Sequence, residues 1–254
     1  MTDRAEIKRR AIAAIGSFQA DVSDLATEHD RYLEEAYSGD LLPSIEAILF
    51  DCDGVILDSE DTWSLCEAEF LLRRGIVFDP ERTKPLITGL GAMDSLRLLQ
   101  EQYGFAGDLE ILARERSAII REMFAREVRF TAGFPEFFQE RVQGRFKTCI
   151  ATSMSEEIFA VVDRKLGLSH LFDGRVYFPS HVGGRAKPEP DLFLYAADQL
   201  EAPPERCLVL EDSPRGIEAA RRAGMTVVGL ATTHGREMLT AADRVVGSFS
   251  EIEI

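Results

Sequence analysis

Five short apolar runs, each stopping abruptly at polar or glycine-containing residues, constrain the fold of this chain most. They are IEAILF from Ile45, RFKTCIAT from Arg145, GRVYF from Gly174, RCLVLE from Arg206 and MTVVGLA from Met225. Amphipathic stretches with helical period, SEEIFAVVDRKLGL, EPDLFLYAADQL and SPRGIEAARRAG, separate most of them. Near-continuous apolar strands alternating with helices need cover on both sheet faces, which predicts an α/β fold with a doubly wound, Rossmann-like parallel sheet. Ligands of such sheets bind beyond the carboxyl ends of the strands, so that edge is where chemistry is expected.

The strand pattern vanishes between Asp61 and about Phe130. TWSLCEAEFLLRRG, AMDSLRLLQEQYG and DLEILARERSAIIREMFAREV instead repeat apolar residues at helical spacing, which predicts a helical subdomain inserted after the first strand. The expected division is an N-terminal helical extension over 1–43, an α/β core over 44–60 and 131–254, and the inserted helices over 61–130. AEIKRRAIAAIGSF and VSDLATEHDRYLEEAY in the extension read as amphipathic helices whose apolar faces need a partner, either the core or a second subunit in a homodimer. A regulatory or docking arm is the other use for them.

The chain's 254 residues carry a formal charge of −15, from 44 acidic against 29 basic side chains. That balance argues against nucleic acid and anionic membrane surfaces as partners. No apolar run approaches the roughly 20 residues of a membrane span, and MTDRAEIKRRAIAAIGSFQA is too charged for a secretory signal, so a cytoplasmic protein is expected. Cys52, Cys66, Cys149 and Cys207 lack metal-type spacing and read as reduced, structural residues.

The chemistry concentrates at strand ends. In EAILFDCDGVILDSE, Asp51 follows a buried run directly, Asp53 lies two residues on and Gly54 frees the backbone to turn. Such a turn offers a nucleophilic carboxylate and a second carboxyl, although a solvated Asp/Gly turn has the same composition. CLVLEDSPRGIEAA repeats the arrangement with Glu211 and Asp212. If the two strands are neighbours, the four acids form a hard oxygen cluster suited to Mg²⁺, and the dication lets them stay ionised together. CIATSMS ends in Thr152 and Ser153, which suit an anionic oxygen or, equally, a helix N-cap. GGRAKPEPDLF sets Lys187, one of five lysines, in a loop before a helix, where it stabilises developing negative charge or is simply solvated.

DCDGVILDSE, ATS, KPEPDLF and LEDSPRGIEAARRAGM, in this order and at these intervals, resemble the four motifs of the haloacid dehalogenase superfamily. The likeness is greatest to its phosphatase and β-phosphoglucomutase-like branch, which carries a helical cap after the first motif, and it extends from Ile45 to near the C-terminus. It implies that Asp51 is the nucleophile forming an aspartyl-phosphate and that Asp53 is the general acid and base. It implies further that Thr152 binds the transferring phosphoryl group, with Ser153 contributing through its backbone, and that Lys187 neutralises charge. Mg²⁺ would be held by the Asp51 side chain, the Asp53 carbonyl and Asp212, with Glu211 a direct or outer ligand. Asp58 would order the turn or the hinge to the cap.

The acids at 53, 211 and 212 argue for phosphate chemistry over dehalogenation, and Lys84 comes too late in the cap for a Schiff base. Trp63 and Ala92 stand where the resemblance would place a mutase's histidine and arginine. The expected activity is therefore Mg²⁺-dependent hydrolysis of a small phosphate ester, such as a sugar phosphate. The alternatives are a phosphomutase and a non-catalytic binding protein on the same scaffold. Within the cap, Trp63 reads as a substrate contact or as core. Arg114 and Arg116 read as partners for a second anionic group or as a solvated face laced with Glu110 and Glu115. ITGLGAM reads as the cap loop facing the site.

Overall fold

The computed structural model describes residues 45–87 and 91–254. Its strands in chain order are β1 (Ala47–Phe50), β2 (Leu57–Asp58), β3 (Arg129–Phe130), β4 (Lys147–Ala151), β5 (Val176–Tyr177), β6 (Cys207–Glu211), β7 (Thr226–Leu230) and β8 (Arg244–Val246). Six of them form one parallel sheet in the order β5-β4-β1-β6-β7-β8. Side chains alternate across a strand. In β1, Ala47 and Leu49 enter one apolar cluster, and Ile48 and Phe50 enter the other on the opposite face. Phe50 is fully buried and meets Phe172 and Phe134 edge to face, at 5.5 and 5.9 Å between ring centroids.

Helix α5 (Glu156–Leu166) covers the Phe50 face through Ile158, Phe159 and Val162. Its ends obey local rules: Ser155 caps the first turn, Glu156 and Glu157 sit at the positive end of the dipole, and Gly167 takes the left-handed terminus at φ 70°. Helices α6 (Asp191–Gln199) and α7 (Pro214–Arg222) cover the Leu49 face with Leu192, Phe193, Ile217 and Ala220. The sheet is thus wound on both faces, as the alternation predicts.

The inserted segment holds α1 (Glu60–Leu72), α2 (Pro80–Ile87), α3 (Ala92–Tyr103) and α4 (Leu109–Glu127). It joins the sheet through the antiparallel pair β2–β3, where Asp58 faces Arg129 and pairs with it at 2.7 Å. Four of these elements are absent from the sequence reading. The two-residue strands β2 and β3 are too short to show a period, β8 is only three residues long, and PERTKPLI in α2 carries too few apolar residues to mark a face. The expectations for residues 1–43, including a homodimer through them, and for the 88–90 part of ITGLGAM lie outside the described residues.

Candidate active site

Register brings the strand ends together. Phe50 is level with Ile150 of β4 on one side and with Leu210 of β6 on the other, so Asp51 emerges beside Ala151–Thr152 and Glu211–Asp212. Two glycines permit the closeness. A Cβ on Gly54, whose φ is 71°, would lie 2.0 Å from Asp212 Oδ2, and one on Gly216 would lie 1.6 Å from Glu211 Oε1. Alanine at either position would collide with a carboxylate the site requires.

Lys187 is the hub. It is buried, not a solvated loop lysine, and its Nζ donates to Asp51 Oδ1 at 2.5 Å and to Glu211 Oε1 at 2.8 Å, with the Phe193 ring 4.7 Å away. Burial alone would lower its pKa, but the charges of Asp51 and Glu211 outweigh burial and hold the ammonium above its ordinary range. The backbone of Lys187 is fixed in turn by Arg215, whose Nη2 donates to its carbonyl at 2.8 Å.

One ammonium does not neutralise the acids around it. Burial first, and then repulsion from Glu211, push Asp51 up to about 8 against the pull of Lys187. Burial, Glu211 and Asp51 likewise raise Asp212. Two buried carboxyls raised together are the electrostatic signature of a place short of positive charge, and a divalent cation fits it. Glu211 is a poor direct ligand. Its Oε1 accepts from Lys187, and its Oε2 accepts from the Asp212 N–H, the Ser213 N–H and the Ser213 hydroxyl, each at 2.9 Å. Among the described residues no three Asp, Glu, His or Cys side chains converge as a ready-made cage. The donor set therefore suits a hard ion that uses few carboxylates and completes its shell with water and substrate oxygens.

Asp53 is held from one side. Its Oδ1 accepts from the Ser59 hydroxyl at 2.6 Å and from the Trp63 indole N–H at 2.9 Å. Burial raises its pKa, and these two donors work against the rise. Cys52, between the two aspartates, is buried and its thiol is pushed well up by burial and by both carboxylates, so it stays protonated. The other three cysteines are buried and free as well.

Thr152 is fully buried at the end of β4. Its Oγ1 accepts the Met154 N–H at 3.0 Å, which leaves the hydroxyl proton to donate elsewhere. The cap of α5 is Ser155, two residues beyond the expected position, so neither Thr152 nor Ser153 is occupied in capping; Ser153 is exposed. In the cap, Arg114 is exposed, but the expectation of a solvated Arg116 fails: it is buried in an ion pair with Glu67 of α1, and its Nη1 donates to Ser95. A guanidinium so engaged has its donors turned to the cap interior. Glu115 pairs with Arg74 at 2.5 Å, and Lys84 with Glu60 at 2.5 Å.

Sequence reading missed the loop after β7. Thr232 donates to the Gly54 carbonyl at 2.6 Å, Thr233 bonds the Asp212 side chain, and His234 Nδ1 lies 3.0 Å from the Asp212 carbonyl. The one available signal was position: ATTHG follows a strand at the same sheet edge as the four motifs.

Known proteins resemble this chain over most of its length. The family model for haloacid dehalogenase-like hydrolases matches residues 45–224. The fructose-1-phosphate phosphatase YqaB of Escherichia coli is 33% identical over 187 residues, covering 71% of this chain and 94% of that protein. A haloacid dehalogenase family hydrolase of Deinococcus radiodurans, solved with bound phosphate and sodium, aligns with a TM-score of 0.67 at 32% identity over 82% of this chain and 93% of that one. A putative β-phosphoglucomutase from Thermotoga maritima aligns with a TM-score of 0.67 at 27% identity over 80% of this chain and 94% of that one.

Proposed function

This chain belongs to the haloacid dehalogenase-like hydrolases, and we propose that it is a Mg²⁺-dependent phosphatase of small phosphorylated metabolites, sugar phosphates foremost, acting through an aspartyl-phosphate on Asp51. The observation that carries the reading is the buried ammonium of Lys187 bridging Asp51 and Glu211 where β1 and β6 end side by side. A cation fixed against a carboxylate at the end of a strand orients the nucleophile and stabilises negative charge on the group it attacks.

In the first half-reaction an Asp51 carboxylate oxygen attacks phosphorus as the ester P–O bond breaks, and Asp53 delivers its proton to the departing alkoxide. In the second, water attacks the same phosphorus, Asp53 takes the water proton and the P–Oδ bond breaks. Inorganic phosphate leaves and Asp51 is restored. Thr152 donates its hydroxyl proton to a phosphoryl oxygen throughout, and Lys187 balances the charge on Asp51 and on the phosphoryl group. Asp51, Asp212 and the Asp53 carbonyl would hold Mg²⁺, which when bound supplies the positive charge these buried acids lack. Glu211 acts by holding Lys187 in place.

Hydrolysis is favoured over phosphomutase chemistry by Trp63, whose indole nitrogen is a donor only and relays no proton from Asp53 to a second sugar oxygen. The substrate's sugar or other non-phosphate part would meet the cap, where the exposed Arg114 is a candidate partner for a second anionic group. A panel of sugar, nucleotide and three-carbon phosphates, assayed with and without Mg²⁺, tests the reading. Phosphate release that requires Mg²⁺ and vanishes in Asp51→Asn is expected; transfer between hydroxyls of one sugar would indicate a mutase, and no turnover of any ester would indicate a binding protein.

A further inference from the structure

We infer that Trp63 is a positioning residue for Asp53: with Ser59 it saturates Oδ1 of that carboxyl and so assigns proton transfer to Oδ2. The inference rests on the reading of Asp53 as general acid and base given above. Among the described residues both side-chain donors to Asp53 converge on Oδ1, the indole N–H at 2.9 Å and the Ser59 hydroxyl at 2.6 Å, and none reaches Oδ2. An oxygen that accepts two donors is a poor site for a proton, because protonating it would break at least one of those bonds. The Oδ2–H bond is therefore the one that breaks as the ester oxygen leaves, and Oδ2 receives the water proton when the aspartyl-phosphate is hydrolysed.

Trp63 suits this task for a physical reason. Its N–H neither gains nor loses a proton at the pH of an enzyme assay, so it remains a donor through both half-reactions while Asp53 changes state. The ring is fixed by Phe124, which is fully buried and lies 4.8 Å away at 65°. Trp63 stands on the first turn of α1, beyond the β2–β3 pair, whereas Asp53 belongs to the turn after β1. The bond therefore ties the acid to the cap helix. A large aromatic held by another ring would otherwise pass as packing, and the hydrogen bond to a reacting group is what separates the two roles.

Leaving-group dependence tests the inference. Trp63→Phe keeps a ring against Phe124 and removes only the N–H, and Ser59→Ala removes the other donor. The value of kcat/KM covers steps up to loss of the alcohol. It is measured with p-nitrophenyl phosphate, whose leaving group departs without a proton, and with an alkyl phosphate such as glycerol phosphate or a hexose phosphate, whose alkoxide requires one. Each variant should lose about tenfold or more on the alkyl esters, the size of one hydrogen bond to a charged group, and clearly less on p-nitrophenyl phosphate. An equal loss on both classes, or no loss, overturns the inference, and Ser59→Ala decides it alone if Trp63→Phe fails to fold. Trp63 is the chain's one tryptophan, so Asp53→Ala should also change the intrinsic emission; an unchanged spectrum overturns the contact. A wild-type protein inert to both ester classes would instead defeat the phosphatase reading.

Discussion

In the proposed mechanism Lys187 and Asp53 do different work at the residue scale, and their variants separate it. Lys187→Ala leaves Asp51 and Glu211 buried without their shared counter-charge. Steady-state kinetics should show a loss on the order of 10³-fold in kcat, comparable to losing a major electrostatic contact to the transition state. Asp53→Asn retains the shape and loses the proton, and about 10²–10⁴-fold should disappear from kcat/KM with alkyl phosphates. Asp51, Asp53, Thr152, Lys187 and Asp212 were legible as candidates because strand-end positions and the four-motif resemblance pointed to the same residues, although each motif alone allowed a solvated turn, a helix cap or a loop lysine. The hydrogen bonds of Glu211, Ser59 and Trp63 were not. They depend on which oxygen a donor reaches, and one-dimensional spacing holds no record of that.

At the scale of elements, α1 and α4 are joined inside the cap by the pair Glu67–Arg116. Removing one partner strands a buried charge, so Arg116→Met should destabilise the fold by about 3–5 kcal/mol, whereas Glu67→Leu combined with Arg116→Met should be close to neutral. Urea unfolding of the two single variants and the double variant measures both, and a double variant as unstable as the singles would refute the account of that pair. A buried arginine here was not legible because LARERSAII offers the same charges to solvent or to the interior, and only the neighbouring helix decides. Long periodic helices and apolar strands were legible, since period and length specify them. The β2–β3 pair is made by two residues on each side, and its paired residues Asp58 and Arg129 lie 71 positions apart in the chain.

The whole molecule concentrates negative charge at one sheet edge, and its stability should report that. Asp51 is raised from its ordinary 3.8 to about 8, so the folded state binds a proton more tightly than the unfolded chain does. The stability that this proton contributes is full below pH 3.8 and is lost as pH rises through about 8; raised Asp212 acts in the same direction. Metal-free protein should therefore melt at progressively lower temperature as pH rises from 4 to 8. Asp51→Asn should flatten that slope relative to wild type, and Mg²⁺ should restore stability mainly at the upper end. A slope unchanged by Asp51→Asn in scanning calorimetry would contradict the charge account.

The most direct test of the central claim follows one atom group. Wild-type protein with Mg²⁺ and a hydrolysed ester is quenched in acid during turnover, and its peptides are mapped by mass spectrometry. The account predicts a phosphoryl group on the peptide bearing Asp51, absent in Asp51→Asn. Turnover with no phosphorylated aspartate, or with the group on another residue, would contradict it.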